Sequence, residues 1–233
     1  MSHRPAPLVL CYHAVSDNWE DWLAVPERDF ERQLRLLARG RRPGTAADAA
    51  AGRRVLHVTF DDAYASVLHA LPLLEGLRLP ATVFACAGYG DGRPLEISEL
   101  SGGRFDAEGL ATLSWDELRG LRERGVEIGS HTVTHAHLTQ LTDTALEREL
   151  AASRERIGDE LGRPCRYLAY PYGEQDGRVR AAAGRAGYDA AFGLPGIPGD
   201  RYALPRVGIY RWNALWRVAL KAATRSWRAD RSA

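Results

Sequence analysis

The segment Val58-Thr59-Phe60-Asp61-Asp62-Ala63-Tyr64 joins an apolar run to two adjacent carboxylates. The apolar run predicts a buried strand, and successive side chains of a strand point to opposite faces. Asp61 and Asp62 can therefore take different roles if the backbone turns directly after the strand. In α/β proteins, active sites collect at the ends of strands. The alternative is that one of the two acids only caps a helix that begins near Tyr64.

A second polar segment, Ser130-His131-Thr132-Val133-Thr134-His135, carries two histidines four residues apart. This spacing predicts that both imidazoles lie on one face of a helix or helical turn, close enough to bind one ion. Together with one carboxylate they form a set that leaves room for water, which is the pattern of a catalytic rather than a structural metal site. The alternative is a pair of ordinary surface histidines.

Apolar runs alternate with helical patterns along the chain, which predicts parallel βα units and an α/β protein. The predicted strands are Leu8–Tyr12, Val55–Phe60, Ala81–Ala85, Val126–Ile128, Tyr167–Ala169, Ala190–Phe192 and Val207–Tyr210. The predicted helices are Pro26–Ala38, Tyr64–Leu77, Ser114–Arg124, Thr142–Leu161, Gly177–Ala186 and Trp212–Trp227. Ser114, with Glu117 three residues later, predicts a capping box at the start of the third of these helices.

Length and composition favour one catalytic domain over residues 1–233, with its core at about 8–210. The 31 Lys and Arg residues balance 30 Asp and Glu residues, so the overall charge does not indicate a nucleic-acid partner. The apolar run Leu8–Cys11 is too short for a secretory leader or a bilayer span. Cys11, Cys86 and Cys165 lie far apart, and we expect them to be reduced core residues of a cytoplasmic protein.

The C-terminal segment predicts a basic amphipathic helix at about 212–228. Its apolar stripe has helical spacing and consists of Trp212, Leu215, Trp216, Ala219, Ala223 and Trp227. The basic residues around it are Arg211, Arg217, Lys221, Arg225, Arg228 and Arg231. One interpretation is a final helix that covers the core and exposes a solvated basic face. The other is peripheral contact of residues 211–228 with an anionic membrane, at its inner face.

Three segments, TFDDAY at 59–64, SHTVTH at 130–135 and AYPYG at 169–173, resemble the first three motifs of the polysaccharide deacetylases, the NodB-homology family of carbohydrate esterases. The resemblance extends from about Leu8 to Tyr210. The YPYG form, with Cys11-Tyr12-His13 near the start, is similar to the branch that includes poly-N-acetylglucosamine deacetylases. The resemblance implies a distorted (β/α)7 barrel, with a regular eight-stranded barrel as the alternative.

The resemblance also implies the roles of several residues. Asp62, His131 and His135 are the expected ligands of one divalent metal ion, and Asp61 beside them is the expected general base. The backbone N–H of Tyr172 resembles the family's oxyanion donor, because Pro171 has no N–H to offer. Zinc is the default metal for such a donor set, with cobalt, nickel and manganese as alternatives.

The chain departs from the family's common form at the general acid. That form has a late histidine that protonates the departing amine, but no histidine follows His137 here. In the branch named above an early histidine takes this place, and His13 resembles it. A pKa near ~6.5 suits a general acid at neutral pH. The alternative is a structural histidine.

A second departure concerns Ala169, which stands where many relatives have an arginine that holds the catalytic aspartate. Arg206, at the start of the last predicted strand, can reach the aspartate from another side; the alternative is an exposed arginine at a strand end. For the substrate, Tyr64, Tyr170 and Trp115 are candidates to line a sugar subsite, because aromatic rings pack against sugar rings. Core packing is the alternative for each of them.

The expected function is therefore metal-dependent removal of N-acetyl groups from an N-acetylated amino sugar, polymeric or lipid-linked. A hydrolase of another C–N bond or of an O-acetyl ester on the same fold is one alternative. A non-catalytic carbohydrate-binding protein is the other. The sequence does not indicate an oligomeric state.

Overall fold

The computed structural model of the chain describes residues 6–95 and 107–224. Its strands are β1 Leu8–Tyr12, β2 Ala14–Val15, β3 Ala24–Val25, β4 Arg42–Pro43, β5 Val55–Phe60, β6 Ala81–Ala85, β7 Glu127–Ser130, β8 Tyr167–Ala169, β9 Ala190–Gly193, β10 Leu204–Pro205 and β11 Val207–Gly208. Its α-helices are α1 Glu27–Ala38, α2 Ala46–Ala50, α3 Leu71–Gly76, α4 Trp115–Glu123, α5 Asp143–Leu161, α6 Gly177–Arg185 and α7 Leu215–Thr224. Single 3₁₀ segments lie at Ala65–Ala70, Ala87–Tyr89, Leu138–Gln140 and Pro171–Gly173.

The main sheet curls until its two edges nearly meet. Its strand order is β10-β9-β8-β7-β6-β5-β1-β11, with β4 beside β5, and each of these pairings is parallel. The edge strands β10 and β11 are separated in the chain by Arg206 alone. They are therefore two parts of one stretch that bridges the seam, and the sheet has seven strand positions. The predicted distorted (β/α)7 barrel is confirmed.

The strand β5 lies in the interior of this sheet, between β1 and β6, and all six of its residues are buried. A parallel sheet covered on both faces favours such a continuous apolar run. The one polar ring in the run, His57, is satisfied by the Gly44 carbonyl and the Thr82 hydroxyl, each 2.9 Å from a ring nitrogen. Burial lowers the pKa of His57 to about 4, so this ring is neutral at pH 7. Asp61 and Asp62 therefore directly follow a buried strand that is paired on both sides.

The predicted helices agree with the structure within a few residues at most ends, and caps account for two of the starts. Ser114 and Glu117 form the predicted capping box of α4, with Ser114 N–H donating to Glu117 Oε2 over 2.8 Å. Thr142 caps α5, which begins at Asp143. The predicted helix Tyr64–Leu77 is wrong in part, because residues 65–70 form a 3₁₀ segment. The α-helix starts only at Leu71, where Pro72 is tolerated in the first turn.

The last helix agrees in part with the interpretation of a final helix that covers the core. α7 begins at Leu215 rather than Trp212, and residues 225–228 of the predicted helix lie outside the described part of the chain. Its buried face consists of Val218, Lys221 and Ala222, whereas Trp216 is 64% exposed. The helix therefore covers the core, but Trp216 of the predicted apolar stripe faces outward and Lys221 of the predicted basic face is buried. Within the described ranges no helix combines the length and hydropathy that a bilayer crossing requires.

Candidate active site

The backbone turns sharply where β5 ends, and this turn separates the two carboxylates. Asp61 N–H still donates to the Tyr12 carbonyl over 3.0 Å, which continues the ladder with β1. Asp62 and Ala63 then have φ values of 67° and 53°, in the left-handed region that non-glycine residues rarely occupy. Such backbone conformations concentrate at functional sites. The two acids therefore point into different surroundings, as the sequence predicted.

Asp61 is held by Arg206 across the seam of the barrel. Arg206 Nη1 lies 2.6 Å from Asp61 Oδ1 and Nη2 lies 2.8 Å from Oδ2, which is a bidentate pair. Arg206 Nη1 also donates to Thr59 Oγ1 over 3.1 Å, and the Cys11 thiol donates to Asp61 Oδ2 over 3.3 Å. Burial by itself would raise the pKa of Asp61, but the charge and hydrogen bonds of Arg206, together with His131 and His13, outweigh burial and leave this pKa well below its usual range.

Arg206 is thus not the exposed arginine of the alternative interpretation, since only 1% of its surface is accessible. It comes to Asp61 because β10 and β11 flank it and place it inside the closing seam of the sheet. The sequence indicated this residue as a candidate, but the contact depends on closure of the barrel.

Asp62 faces the two histidines of the second motif. Its Oδ1 atom lies 3.4 Å from His131 Nε2 and 3.3 Å from His135 Nε2. All three side chains are buried, and one ligand atom of each lies within 4.8 Å of the others. Burial raises the pKa of Asp62, while His135 and His131 lower it to a net value below the usual one. The structure therefore brings the three predicted ligands together.

The local backbone of the histidine motif differs from the prediction. The two histidines lie on an irregular loop after β7, not on a helical turn. Thr132 and His135 have φ values of 72° and 61°, and these two left-handed residues bend the loop so that the rings meet with centroids 4.9 Å apart. The spacing correctly predicted that the two imidazoles meet, but the predicted helical turn is wrong, because a loop with two reversals also returns a side chain after four residues.

Glu149 of α5 holds this loop and was missed from the sequence. Its carboxylate accepts hydrogen bonds from the backbone N–H groups of Val133 and Thr134, at 2.8 and 3.0 Å, and from the Thr134 hydroxyl at 2.8 Å. These three bonds fix the residues between the two histidines. Nothing in the sequence indicates this contact, because Glu149 is one of several acids on a long amphipathic helix.

The donor set fits a divalent cation. The Nδ1–H of His131 donates to the Ala169 carbonyl over 2.8 Å, which fixes the tautomer and leaves a lone pair on Nε2. Burial lowers the pKa of His131 to about 4, so the ring is neutral at pH 7. Its Nε2 lone pair then faces a carboxylate oxygen, and Asp62 Oδ1 has no hydrogen-bond partner among the described residues. A cation between these atoms would satisfy both.

Tyr172 lies at the rim of the Asp62–His131–His135 set. It sits in the Pro171–Gly173 turn with a φ of 57°. Its ring packs edge-on against His135, with centroids 4.6 Å apart, and stacks on His137 at 3.9 Å. His137 itself pairs with Glu174, at 3.0 Å, rather than with the metal-ligand candidates. The turn therefore places the Tyr172 side chain beside the predicted metal site.

His13 follows β1 and lies on the Asp61 side of the pocket. One of its ring nitrogens lies within 4.8 Å of both a carboxylate oxygen of Asp61 and the sulfur of Cys11. Its buried Nδ1 atom finds no hydrogen-bond partner in the described ranges. The ring stacks on Tyr210, with centroids 5.9 Å apart, and approaches Trp22 at 6.4 Å. The structure therefore brings His13 and Asp61 together at the seam.

The aromatic residues singled out as sugar contacts occupy other positions. Tyr64 and Tyr170 are fully buried, so neither ring offers a face to a sugar. Tyr64 lies beneath Asp62, and burial together with the Asp62 charge raises the pKa of its hydroxyl well above the usual value. Trp115 packs against the core and below Arg156. Tyr64 and Tyr170 therefore correct the expected sugar subsite, because core packing takes up the faces that a sugar would need, whereas Trp115 is only partly buried and stays a prediction.

The site thus combines a carboxylate paired with arginine, an Asp–His–His donor set and a histidine, at the carboxyl ends of parallel strands in a seven-stranded barrel. This arrangement is a candidate metal centre, and the comparisons with known proteins identify the family to which the chain belongs. Residues 48–191 match the model of the polysaccharide deacetylase family, which is more than half of the chain. The chain belongs to the polysaccharide deacetylase family.

Individual relatives agree with this assignment. The polysaccharide deacetylase homologue YxkH of Bacillus subtilis (strain 168) is 25% identical over 225 residues, covering 89% of this chain and 73% of that protein. The structure of IcaB from Ammonifex degensii matches with a TM-score of 0.76 and 26% identity, over 94% of this chain and 97% of that one. The deacetylase PplD of Streptococcus pyogenes, solved with acetate, has the same fold, with a TM-score of 0.75 and 19% identity over 92% and 97% of the two chains.

The family match contains Asp61, Asp62, His131, His135 and Tyr172, but neither His13 nor Arg206. Deacetylation of a polysaccharide is thus the coarse activity that the family assigns. The roles of individual residues require a separate argument from the geometry.

Proposed function

We propose that this protein is a metal-dependent hydrolase that removes N-acetyl groups from an N-acetylated amino sugar, in a polysaccharide or a lipid-linked glycan. The observation that carries the proposal is the separation of the two adjacent acids. One is paired with a fixed arginine, and the other faces two imidazoles without a hydrogen bond. A hydrolase that activates water needs both a base and a ligand set.

Asp62, His131 and His135 would hold the ion, with zinc as the default and cobalt, nickel or manganese as alternatives. A divalent cation bound there would lower the pKa of its water towards ~7 and polarise a carbonyl oxygen. The buried surroundings of the three side chains support this role, because few competing waters reach them.

Asp61 would take the proton from the attacking water. Its pairing with Arg206 keeps the carboxylate ionised at neutral pH, as a base must be. The same pairing lowers the pKa of Asp61 and so its intrinsic basicity. Its contribution therefore depends on orientation, which the two bonds to Arg206 and the thiol of Cys11 provide.

The backbone N–H of Tyr172 would donate to the developing oxyanion, and His13 would protonate the departing amine. The position of the Tyr172 turn against His135 supports the first role. The second is supported by the place of His13 beside Asp61. Its unpartnered Nδ1 adds a ring nitrogen without a structural role in the described part of the chain.

The test is metal content together with acetate release. We expect about one equivalent of metal in the wild-type protein, retained in His13→Ala and lost in Asp62→Ala and His131→Ala. The wild-type protein should release acetate from N-acetylated glycans. In His13→Ala, the rate of N-acetyl cleavage should fall more than the rate of cleavage of an activated acetyl ester, because the leaving group of the ester needs no proton. Equal losses on both substrates would remove His13 as the acid. Turnover of O-acetyl esters alone would favour the esterase alternative, and glycan binding without metal would favour a binding protein.

A peripheral membrane contact is a second candidate property, favoured by the exposed apolar face of α7. Trp216 and Leu220 are 64% and 54% exposed on this helix, and Arg217 lies over the Trp216 ring. An anionic membrane surface binds such a combination of aromatic and basic side chains. Sedimentation with phosphatidylglycerol vesicles should fall in the double variant Trp216→Ala/Leu220→Ala; unchanged sedimentation would contradict the contact. A lipid-linked glycan at the inner face of the membrane would suit this geometry.

A further inference from the structure

An aromatic surface adjoins the pocket on the side of His13. It consists of Trp22, Tyr210 and Trp212, and we refer to it as the tryptophan platform. The Trp22 and Trp212 rings are stacked, with centroids 5.5 Å apart and planes at 22°. Tyr210 lies between them and the pocket, 5.1 Å from Trp22 and 5.7 Å from Trp212. The His13 ring stacks on Tyr210 at 5.9 Å, so the platform is continuous with the proposed general acid.

The topology of the barrel brings these rings together. Trp22 precedes β3, whereas Tyr210 and Trp212 follow β11, almost two hundred residues later. Because β11 pairs with β1, the Ile209 N–H donates to the Cys11 carbonyl over 2.9 Å, and the chain then runs beside His13. The sequence alone placed Trp212 on a helical stripe and gave Trp22 no role.

Hydrogen bonds hold together the two chain segments that carry the tryptophan platform. Arg211 N–H donates to the Trp22 carbonyl over 3.0 Å, and its guanidinium donates to the carbonyls of Trp19 and Ala24 over 3.0 and 3.2 Å. The buried Asn213 side chain accepts from the Tyr210 N–H over 3.1 Å. One arginine therefore ties the two segments that carry the tryptophans. Because the surface is already ordered, little conformational entropy would be lost when a ligand binds there.

The rings are exposed although they are stacked. Trp22 is 37% exposed and Trp212 is 45% exposed. Single exposed apolar residues are common on proteins, but a fixed group of large rings beside a catalytic pocket indicates a binding surface. Tryptophan and tyrosine provide large, rigid contact area that also tolerates polar ligands. A pyranose ring, with apolar C–H faces and a polar edge, matches this chemistry.

We propose that the tryptophan platform is a subsite for the sugar unit adjacent to the one that is deacetylated, so that Trp22 and Trp212 set how much more tightly a chain binds than a single sugar. The inference rests on the proposed function for the identity of the pocket. Its position next to His13 places the neighbouring unit on the side from which the departing amine is protonated. A free monosaccharide would reach the pocket without contacting the platform.

The test compares N-acetylhexosamine monomer and tetramer, β-1,4- and β-1,6-linked, with Trp22→Ala and Trp212→Ala. We expect KM for the tetramer to rise about tenfold in each variant, with the monomer unchanged. Trp216→Ala is the matched control, because it removes an exposed tryptophan outside the platform. Trp212→Phe should retain most of the tetramer binding and Trp212→Leu should not, which separates a ring contact from a folding defect.

Binding is measured separately by calorimetry in the Asp61→Asn background, so that the result does not depend on turnover. Platform-dependent binding of the tetramer, without acetate release by the wild type, would support the subsite while refuting the proposed activity. Tetramer binding that is absent, or equal in the platform variants and Trp216→Ala, would overturn the subsite. So would equal losses for monomer and tetramer. If the platform variants lose sedimentation with phosphatidylglycerol vesicles but keep glycan binding, the ligand of the platform is a membrane rather than a glycan.

Discussion

Asp61 and Asp62 are neighbours in the chain and share the same strand end, but their surroundings are opposite. Asp61 has two hydrogen bonds from a buried arginine and one from a thiol. Asp62 has an oxygen without a hydrogen bond in the described residues, facing a histidine that is held in its neutral form. The first carboxylate is hydrogen-bonded within the protein through both of its oxygens, whereas the second leaves Oδ1 available to a cation. One left-handed turn at Asp62 and Ala63 produces this difference.

The largest expected effect comes from removing the charge of the first carboxylate. Asp61→Asn should lower kcat by about 10²–10⁴-fold, because general-base catalysis contributes a factor of this size. Metal content should stay at the wild-type value, since Asp61 is not in the ligand set. Elemental analysis and acetate release from the same preparation provide the check. Near-normal turnover, or loss of metal, would show that the two acids are not divided in this way.

Breaking the ion pair from its other end should be costly for stability. Arg206→Met leaves the buried Asp61 carboxylate without its charge partner, and we expect a loss of about 3–5 kcal/mol in the free energy of unfolding. The double variant Asp61→Leu/Arg206→Met should recover most of this loss, because no unpaired charge remains. Urea denaturation measures all three proteins. Additive losses in the double variant would contradict a direct pair.

His57, in the same strand β5, provides a comparison that depends on pH. His57 has a pKa of about 4 in the folded protein against 6.5 as its ordinary value. Between pH 6.5 and about 4, His57 is protonated in the unfolded chain but neutral in the folded protein. The stability that neutral His57 contributes, ~3 kcal/mol, is therefore complete above pH 6.5 and is lost as the pH falls towards 4.

Urea midpoints across this window check the prediction. His57→Gln should show a smaller fall in stability between pH 6.5 and 4 than the wild type, and His131 contributes to both curves alike. Parallel curves for the two proteins would mean that His57 is not the group that titrates.

The smallest expected effect is that of Asp62→Asn on stability without metal, and it contrasts with the large effects expected at Asp61. Asp62→Asn in a chelator should change the free energy of unfolding only slightly, because the wild-type Oδ1 lacks a hydrogen bond there. The same variant should lose the rise in Tm that added zinc gives the wild type. Thermal unfolding with chelator and with zinc measures both. A large loss of stability without metal would show that Asp62 has a structural partner.

Much of the framework could be predicted from local patterns. The bounds of β1, β5, β6 and β8 agree with the predicted strands, because buried parallel strands are continuous apolar runs. The capping box at the start of α4 agrees as well. The prediction was less successful where the backbone leaves regular structure, at residues 65–70 and in the histidine loop. There, left-handed residues and short 3₁₀ turns depend on tertiary contacts such as those of Glu149.

The sequence by itself determined the alternation of strands and helices, the pair of acids after β5 and the two histidines that accompany them, because these depend on residue type and spacing. The tertiary structure alone decided which acid meets which partner. Arg206 reaches Asp61 across 145 positions of the chain only because the sheet closes. Trp22 and Trp212 meet beside His13 for the same reason, since β11 returns to β1. Contacts between distant segments follow from closure of the barrel, and no local pattern encodes them.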